Sequence, residues 1–272
     1  MQTIFFIIAA AFYAACALLP ATQRRLISFG TGLGWLMHGG ALWLAVMKPD
    51  ALRLGFAIML SATLWVSVAA YWVENRAAAL DSLRILVLPV ATVAVLLPIA
   101  FPGSLVAFEQ KSTLFPWHVA VAMLAYSTLT IAAFHAVLMA LQESRLHTRR
   151  STSVVVEDAW YVAAIDRLPA LLTMEKMLFR LIMIGFVLLS LTVLSGIIFS
   201  EQLFGKPLKW DHKNVFTLLS WIVFGMLLAG RYWRGWRGKT ALSFTLTGFV
   251  TLLLAYVGSR FVLEVVLHRG LV

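Results

Sequence analysis

The chain has 272 residues, of which 61% are hydrophobic and 12% charged, and its mean hydropathy is +0.90. Soluble domains carry about 25% charged residues, so this composition excludes a soluble enzyme and makes the lipid bilayer the solvent of the chain. The net charge of +10 does not indicate a nucleic-acid partner, because the basic residues are scattered between apolar runs instead of forming a tail or a patch.

Eight apolar stretches, separated by clusters of Arg, Lys, Asp, Gly and Pro, predict membrane spans of about 20 residues each. They run at approximately 3–20, 28–47, 55–72, 84–102, 116–141, 177–199, 215–232 and 239–266. The first stretch is not expected to be a signal peptide, because residues 1–3 carry no positive charge. We therefore expect residues 1–272 to form a single all-α transmembrane domain, a polytopic integral membrane bundle of about eight helices.

The basic residues also predict the orientation of the bundle. Of the 22 Lys and Arg residues, 14 fall on one side of the predicted spans and 8 on the other. The positive-inside rule then places both termini outside the cytoplasm. The one long connection, about 142–176, lies on the cytoplasmic side, where it is either a solvated connector or a short amphipathic helix.

The histidines separate by depth. His118 begins the fifth span, His212 lies in an outer connection and His268 closes the eighth span, so these three histidines converge on the outer face. His135 lies 17 residues after His118 on the same helix, roughly 25 Å away, and cannot share a ligand with it. His38 falls midway through the second span.

Two imidazoles on different helices suit the two axial positions of a haem iron, whereas zinc needs three or four protein ligands. No helical histidine pair of the zinc type is present in the sequence, and nearby tryptophans suit a flat macrocycle. Structural alternatives stay open for each histidine. In these alternatives, His118 would be an interfacial residue bonded to a carbonyl, and His268 a polar residue at the chain end. His38 would be a packed, internally satisfied residue.

Cys16 is the single cysteine and lies in the first span. An intramolecular disulfide, a Cys-x-x-Cys redox pair and covalently attached haem are therefore all excluded. A small packed residue is the role expected for it. Nothing in the sequence resembles a phosphate-binding loop, a nucleophile elbow or a nucleic-acid module.

The segment Lys-Trp-Asp-His-Lys-Asn at 209–214 leads into a span with Trp221. It resembles the Trp-Asp-x-Lys motif of the CcsA/HemX-like cytochrome c assembly family, a set of membrane haem-handling proteins. Other family elements follow the same order, and the resemblance is strongest over 116–268. These elements are Trp-His-Val at 117–119, Ala-Tyr-Ser at 125–127, Gly-Trp-Arg-Gly-Lys at 235–239, Gly-Phe at 248–249 and Leu-His at 267–268.

The resemblance implies a haem site at the outer membrane interface. His118 and His268 would be the axial ligands of a non-covalent, b-type haem, and Trp210 would stack along its edge. Asp211 would orient a ligand imidazole or fix the connection, as groups behind a metal ligand commonly do. The remaining residues expected at the site are Lys213, which would pair with a propionate, together with His212 and Trp117.

This sequence departs from the family pattern in two places, which limits the family roles that can be assigned to its residues. The stretch 201–209 lacks the additional tryptophans of full cytochrome c synthases, and Ala229 occupies the suspected position of a second transmembrane histidine. His38 is then at best one half of a haem site within the membrane. The chain is closer to the short, eight-span branch of the family.

The resemblance implies a multi-pass protein of the bacterial inner membrane that presents haem at the extracytoplasmic face. Because the chain supplies no thiols there, a membrane protein or an apocytochrome would be the partner, and the chain alone is not expected to be an enzyme. An alternative is a HemX-like haem sensor that regulates a tetrapyrrole enzyme or a membrane partner through the connection 142–176. A third is a transporter of haem or another solute, which ranks lower because no inverted repeat is visible.

Overall fold

The computed structural model describes residues 2–48, 51–78, 83–107, 115–151, 168–204 and 211–266. Within these ranges eight long helices follow one another. They are α1 (Gln2–Leu18), α2 (Arg24–Val46), α3 (Phe56–Ala78), α4 (Arg84–Ala100), α5 (Phe115–Ser151), α6 (Leu171–Phe204), α7 (His212–Arg234) and α8 (Gly238–Leu253). Helix α8 is continued by π-helical turns at Leu254–Gly258 and Val262–Val266, on either side of the short helix Ser259–Phe261.

Each helix coincides with one predicted span, which confirms a helical, polytopic membrane protein. Five of the described helices are long and apolar enough to cross a bilayer, and α1 and α4 are apolar but shorter. Helices satisfy their own backbone hydrogen bonds, which is why this architecture is stable in lipid. The five long segments are Phe56–Val73, Trp117–Arg145, Leu171–Ile198, His212–Arg234 and Gly238–Gly258.

Helical structure enters the connection predicted at 142–176 from both sides. Helix α5 continues to Ser151 and α6 already begins at Leu171, so both helices extend into that range. Hydropathy marks the end of an apolar run, but residues such as Gln142 and Arg145 are good helix formers and prolong the helix beyond it. The short amphipathic helix considered for this connection falls mostly on residues 152–167, which lie outside the described residues.

A small antiparallel sheet, which the sequence did not predict, covers one end of the bundle. It joins β1 (Met47–Lys48), β2 (Ala51–Leu54) and β3 (Ser104–Ala107) in the order β1-β2-β3. The turn before β3 needs Gly103, whose φ is +74° and whose added Cβ would lie 2.5 Å from the Leu54 carbonyl oxygen. The charge count places this end outside the cytoplasm.

Helices α5 and α6 pack closely at one small residue. A Cβ added to Gly185 of α6 would lie 2.5 Å from Cδ2 and 2.7 Å from Cγ of Leu129 on α5. Leu129 is fully buried. Small residues at such crossings let helix backbones approach each other in lipid, where close packing supplies much of the stability.

Replacing Gly185 with alanine should therefore lower the free energy of unfolding by about 1–3 kcal/mol, since overpacking forces side chains out of their preferred rotamers. Gly40 is a matched control because an added Cβ there meets nothing within 4 Å. Thermal unfolding of both variants in detergent checks this. Equal midpoints for Gly185→Ala and Gly40→Ala would contradict the packing described above.

Candidate functional site

His118 lies in the first turn of α5 and is half-buried. Its Nδ1 lies 2.7 Å from the Ser195 hydroxyl oxygen on α6. The same hydroxyl lies 2.7 Å from the Leu191 carbonyl oxygen of its own helix. When Ser195 donates its single hydroxyl proton to that carbonyl, its Oγ accepts a hydrogen bond from the N–H of His118 Nδ1. In this tautomer the Nε2 of His118 carries the lone pair that a metal ion requires.

Helix α7 begins beside this pair. Asp211 has extended backbone angles, and its Oδ1 accepts a hydrogen bond from the Asn214 backbone N–H at 2.8 Å, which caps the helix. His212 is exposed, and Lys213 is half-buried. The positive charge of Lys213 acts on the His118 imidazole. The first turns of α5 and α7 and the Ser195 region of α6 therefore form one half-exposed site.

The predicted site residues fall into three groups. His118 and Lys213 come together, and Asp211 and His212 lie at the same helix end as Lys213. Trp117 is 71% exposed at the start of α5 and projects away from the bundle. The positions predicted to hold the second axial ligand and the stacking tryptophan lie outside the described residues. They are His268 and Trp210.

The C-terminal helix runs toward the same end of the bundle as His118. Tyr126, eight residues and about 12 Å below His118 on α5, has its ring 5.2 Å from that of Tyr256. Beyond Tyr256, the ring of Phe261 lies 5.4 Å from that of Phe56, which begins α3 beside the sheet. The described chain thus ends, two residues before the predicted ligand at 268, on the side that carries His118.

His38 has a different environment. It is fully buried, with Nδ1 3.3 Å from the Tyr13 hydroxyl and Nε2 2.8 Å from the Ser61 hydroxyl. Both ring nitrogens are therefore engaged between helices, as the structural alternative for this histidine expected. The buried His135 has its Nδ1 3.0 Å from the Ile131 carbonyl oxygen, far from the outer site. Within the described ranges, no three His, Cys, Asp or Glu side chains are grouped as a metal site.

The Gly-Trp-Arg-Gly-Lys element at 235–239 lies at the opposite end of the bundle. Gly235, with φ of +66°, ends α7, and the Trp236 ring packs against Gly230. The Oε1 atom of Glu175 on α6 forms ion pairs with Arg231 Nη1 at 2.7 Å and with Arg237 Nε at 3.3 Å. This element therefore joins α6, α7 and α8 at the end away from His118, and its observed contacts are structural.

Sequence reasoning missed Ser195 and Glu175. Serine hydroxyls in membrane helices usually bond to the carbonyl four residues earlier, as several do here, so Ser195 carries no distinguishing signal. Glu175 fell in the predicted long connection. A carboxylate near the start of a span, facing a span that ends in arginines, is the signal that could have identified it.

The capping role of Asp211 makes a direct prediction. Asp211→Ala should lower the stability of the start of α7 by about 1 kcal/mol, while Asp211→Asn, which caps equally well, should preserve it. Hydrogen exchange at the Asn214 amide measures this, because that N–H is the one bonded to the carboxylate. Equal protection in the alanine variant and the wild type would show that the cap is not formed.

The sequence is similar to proteins of one known family. A family model described as cytochrome C assembly protein matches residues 30–267. The inner membrane protein YpjD of Escherichia coli (strain K12) is 32% identical over 149 residues, which cover 55% of this chain and 52% of that protein. The cytochrome c biogenesis protein CcsA of Prochlorococcus marinus is 29% identical over 189 residues, 61% of this chain and 60% of that protein. The CcsA of Heterosigma akashiwo is 27% identical over 184 residues, 57% of either chain. This chain thus matches little more than half the length of these relatives.

Proposed function

Because this chain belongs to the cytochrome c assembly protein family, we propose that it is a haem-handling protein that acts in cytochrome c biogenesis. The chain is a multi-pass protein of the inner membrane. Its haem site is assigned to the outer ends of α5 and α7, with haem as cargo presented to a partner. The observation that supports this assignment is the contact of His118 Nδ1 with Ser195 Oγ at 2.7 Å, an arrangement that suits a ring ligating iron through Nε2.

The donor set around His118 fits a non-covalent, b-type haem. A ligating histidine commonly donates its other N–H to a neighbouring acceptor, which fixes the ring and raises its basicity, and Ser195 has that position here. The ammonium of Lys213 beside the imidazole suits a propionate. Cys16, the single cysteine, lies near the far end of α1 and is buried, so this chain has no thiol to attach the group covalently.

The remaining members of the proposed site come from the family resemblance. His268 is proposed as the second axial ligand, and Trp210 as the residue stacked on the edge of the macrocycle. Asp211 holds the start of α7, and through it Lys213, in place. Haem bound there supplies the porphyrin that a partner apocytochrome attaches through its own cysteines. Trp117 and His212, both exposed, lie where such a partner would approach.

Absorption spectroscopy tests the proposal. The full chain, purified in detergent and loaded with hemin, should give a low-spin spectrum typical of two nitrogen ligands, and His118→Ala should lose it. His135→Ala is the matched control, because His135 lies on the same helix roughly 25 Å away. Absence of haem binding in the wild type, or an unchanged low-spin spectrum in His118→Ala, would overturn the assignment.

Ser195 gives a sharper test of how His118 is held. Ser195→Ala should weaken haem binding by about 10–100-fold, the usual effect of losing a group behind a metal ligand, while Ser195→Thr should restore most of it. Ser190→Ala is the control, since Ser190 lies on the same helix and accepts the Trp221 indole N–H at 2.8 Å. Hemin titrations measure the affinities. If Ser190→Ala and Ser195→Ala lost the same amount of hemin affinity, Ser195 would contribute only through helix packing.

A further inference from the structure

A buried arginine lies at the other end of the bundle, far from the proposed haem site. Arg84 is the first residue of α4 and is only 6% exposed. Its Nε and Nη1 atoms are buried and have no hydrogen-bond partner. Leu83, which precedes it, and Val87, about one helical turn after it, are fully buried. A buried, unpaired charge is strongly unfavourable unless a counter-charge and hydrogen bonds compensate it.

The neighbours of Arg84 do not supply that compensation. Its charge acts on the Cys16 thiol of α1, which is 3% exposed and lies 3.6 Å from the Ile27 carbonyl oxygen of α2. The buried Thr31 hydroxyl lies beside the same thiol. These groups are polar but neutral, so they place Arg84 where α1, α2 and α4 meet without balancing its charge.

Two carboxylates of the described chain are committed to contacts elsewhere. Glu175 is bonded to two arginines between α6 and α7, and Asp211 caps α7 at the opposite end of the bundle. Neither reaches Arg84, and no ion pair of Arg84 is formed with any side chain that the structure describes. Among the side chains that the structure describes, Arg84 therefore has no anionic partner.

The surroundings at this end favour an oxyanion. Arg84 begins a 17-residue helix, whose first turn contributes partial positive charge, and its N-cap Leu83 has no side-chain oxygen to offer. Guanidinium groups bind phosphate oxygens with particular geometric fit.

We propose that Arg84 binds a phosphate-type oxyanion where α1, α2 and α4 meet. The charge count assigns this end to the cytoplasmic side, where basic pockets between membrane helices bind acidic lipid headgroups. A phospholipid headgroup and free inorganic phosphate share this chemistry, and either can supply it. The oxyanion site is separate from the proposed haem site. A negative result for oxyanion binding therefore does not affect the haem proposal, and a negative result for haem binding does not affect the oxyanion proposal.

Thermal unfolding of the full chain distinguishes free phosphate from a phospholipid headgroup as the source of the oxyanion. One arm adds inorganic phosphate to the protein in a nonionic detergent at constant pH and ionic strength. The other compares nanodiscs of phosphatidylcholine with nanodiscs that also contain phosphatidylglycerol. Ligand binding to the folded chain raises the unfolding midpoint, by several degrees when the site is saturated. A rise with phosphate identifies a soluble oxyanion, and a rise only with the anionic lipid identifies a headgroup.

The variant Arg84→Gln should abolish either rise, while Arg25→Gln, which removes an exposed arginine at the same end, should retain it. If Arg84→Gln does not fold, the single cysteine provides a second measurement on the wild type. Cys16 lies beside Arg84, so an occupied site should slow the reaction of the thiol with a maleimide several-fold. The proposal is overturned if neither ligand shifts the midpoint or slows labelling, or if Arg84→Gln responds as the wild type does.

Discussion

Lipid offers no hydrogen-bond partner, and this constraint explains where the polar side chains of the chain are found. Three contacts between helices occur at three depths. His118 is bonded to Ser195 at the end predicted to be outer, His38 to two hydroxyls within the bundle, and Glu175 to two arginines at the end predicted to be inner. Each contact holds two or three helices in register. The outer one differs from the others because its imidazole is half-exposed and can reach a ligand.

Much of the fold could be predicted from the sequence, since hydropathy reports directly on burial in lipid. All eight predicted spans coincide with helices. The ends of α5 and α6 could not be predicted in this way, because helix propensity continues past the apolar run into Gln142 and Arg145. The three strands were also missed. They are two to four residues long, which is too short for the alternation that identifies a strand.

Less of the candidate site could be predicted. Charge and family motifs together pointed to His118 and the start of α7. The partner of His118 is Ser195, which lies 77 residues later in the sequence, and no local pattern links the two positions. Asp211 was expected to orient an imidazole or to fix the connection, and the observed contact is a helix cap. His268 and Trp210 lie outside the described residues, and their roles stay predictions. Arg84 was counted only as a topology signal, because burial and pairing are not visible in the sequence.

We propose that the His118 ring is a ligand of the haem iron and not only a structural residue. The most direct measurement is chemical rescue. His118→Gly, loaded with hemin and freed of unbound hemin, should lack the low-spin spectrum. It should regain that spectrum at imidazole concentrations too low to convert hemin in protein-free micelles, because imidazole fills the space that the side chain leaves and donates the same nitrogen to the iron. A low-spin spectrum in His118→Gly without imidazole, or no response to imidazole at any concentration, would contradict the account.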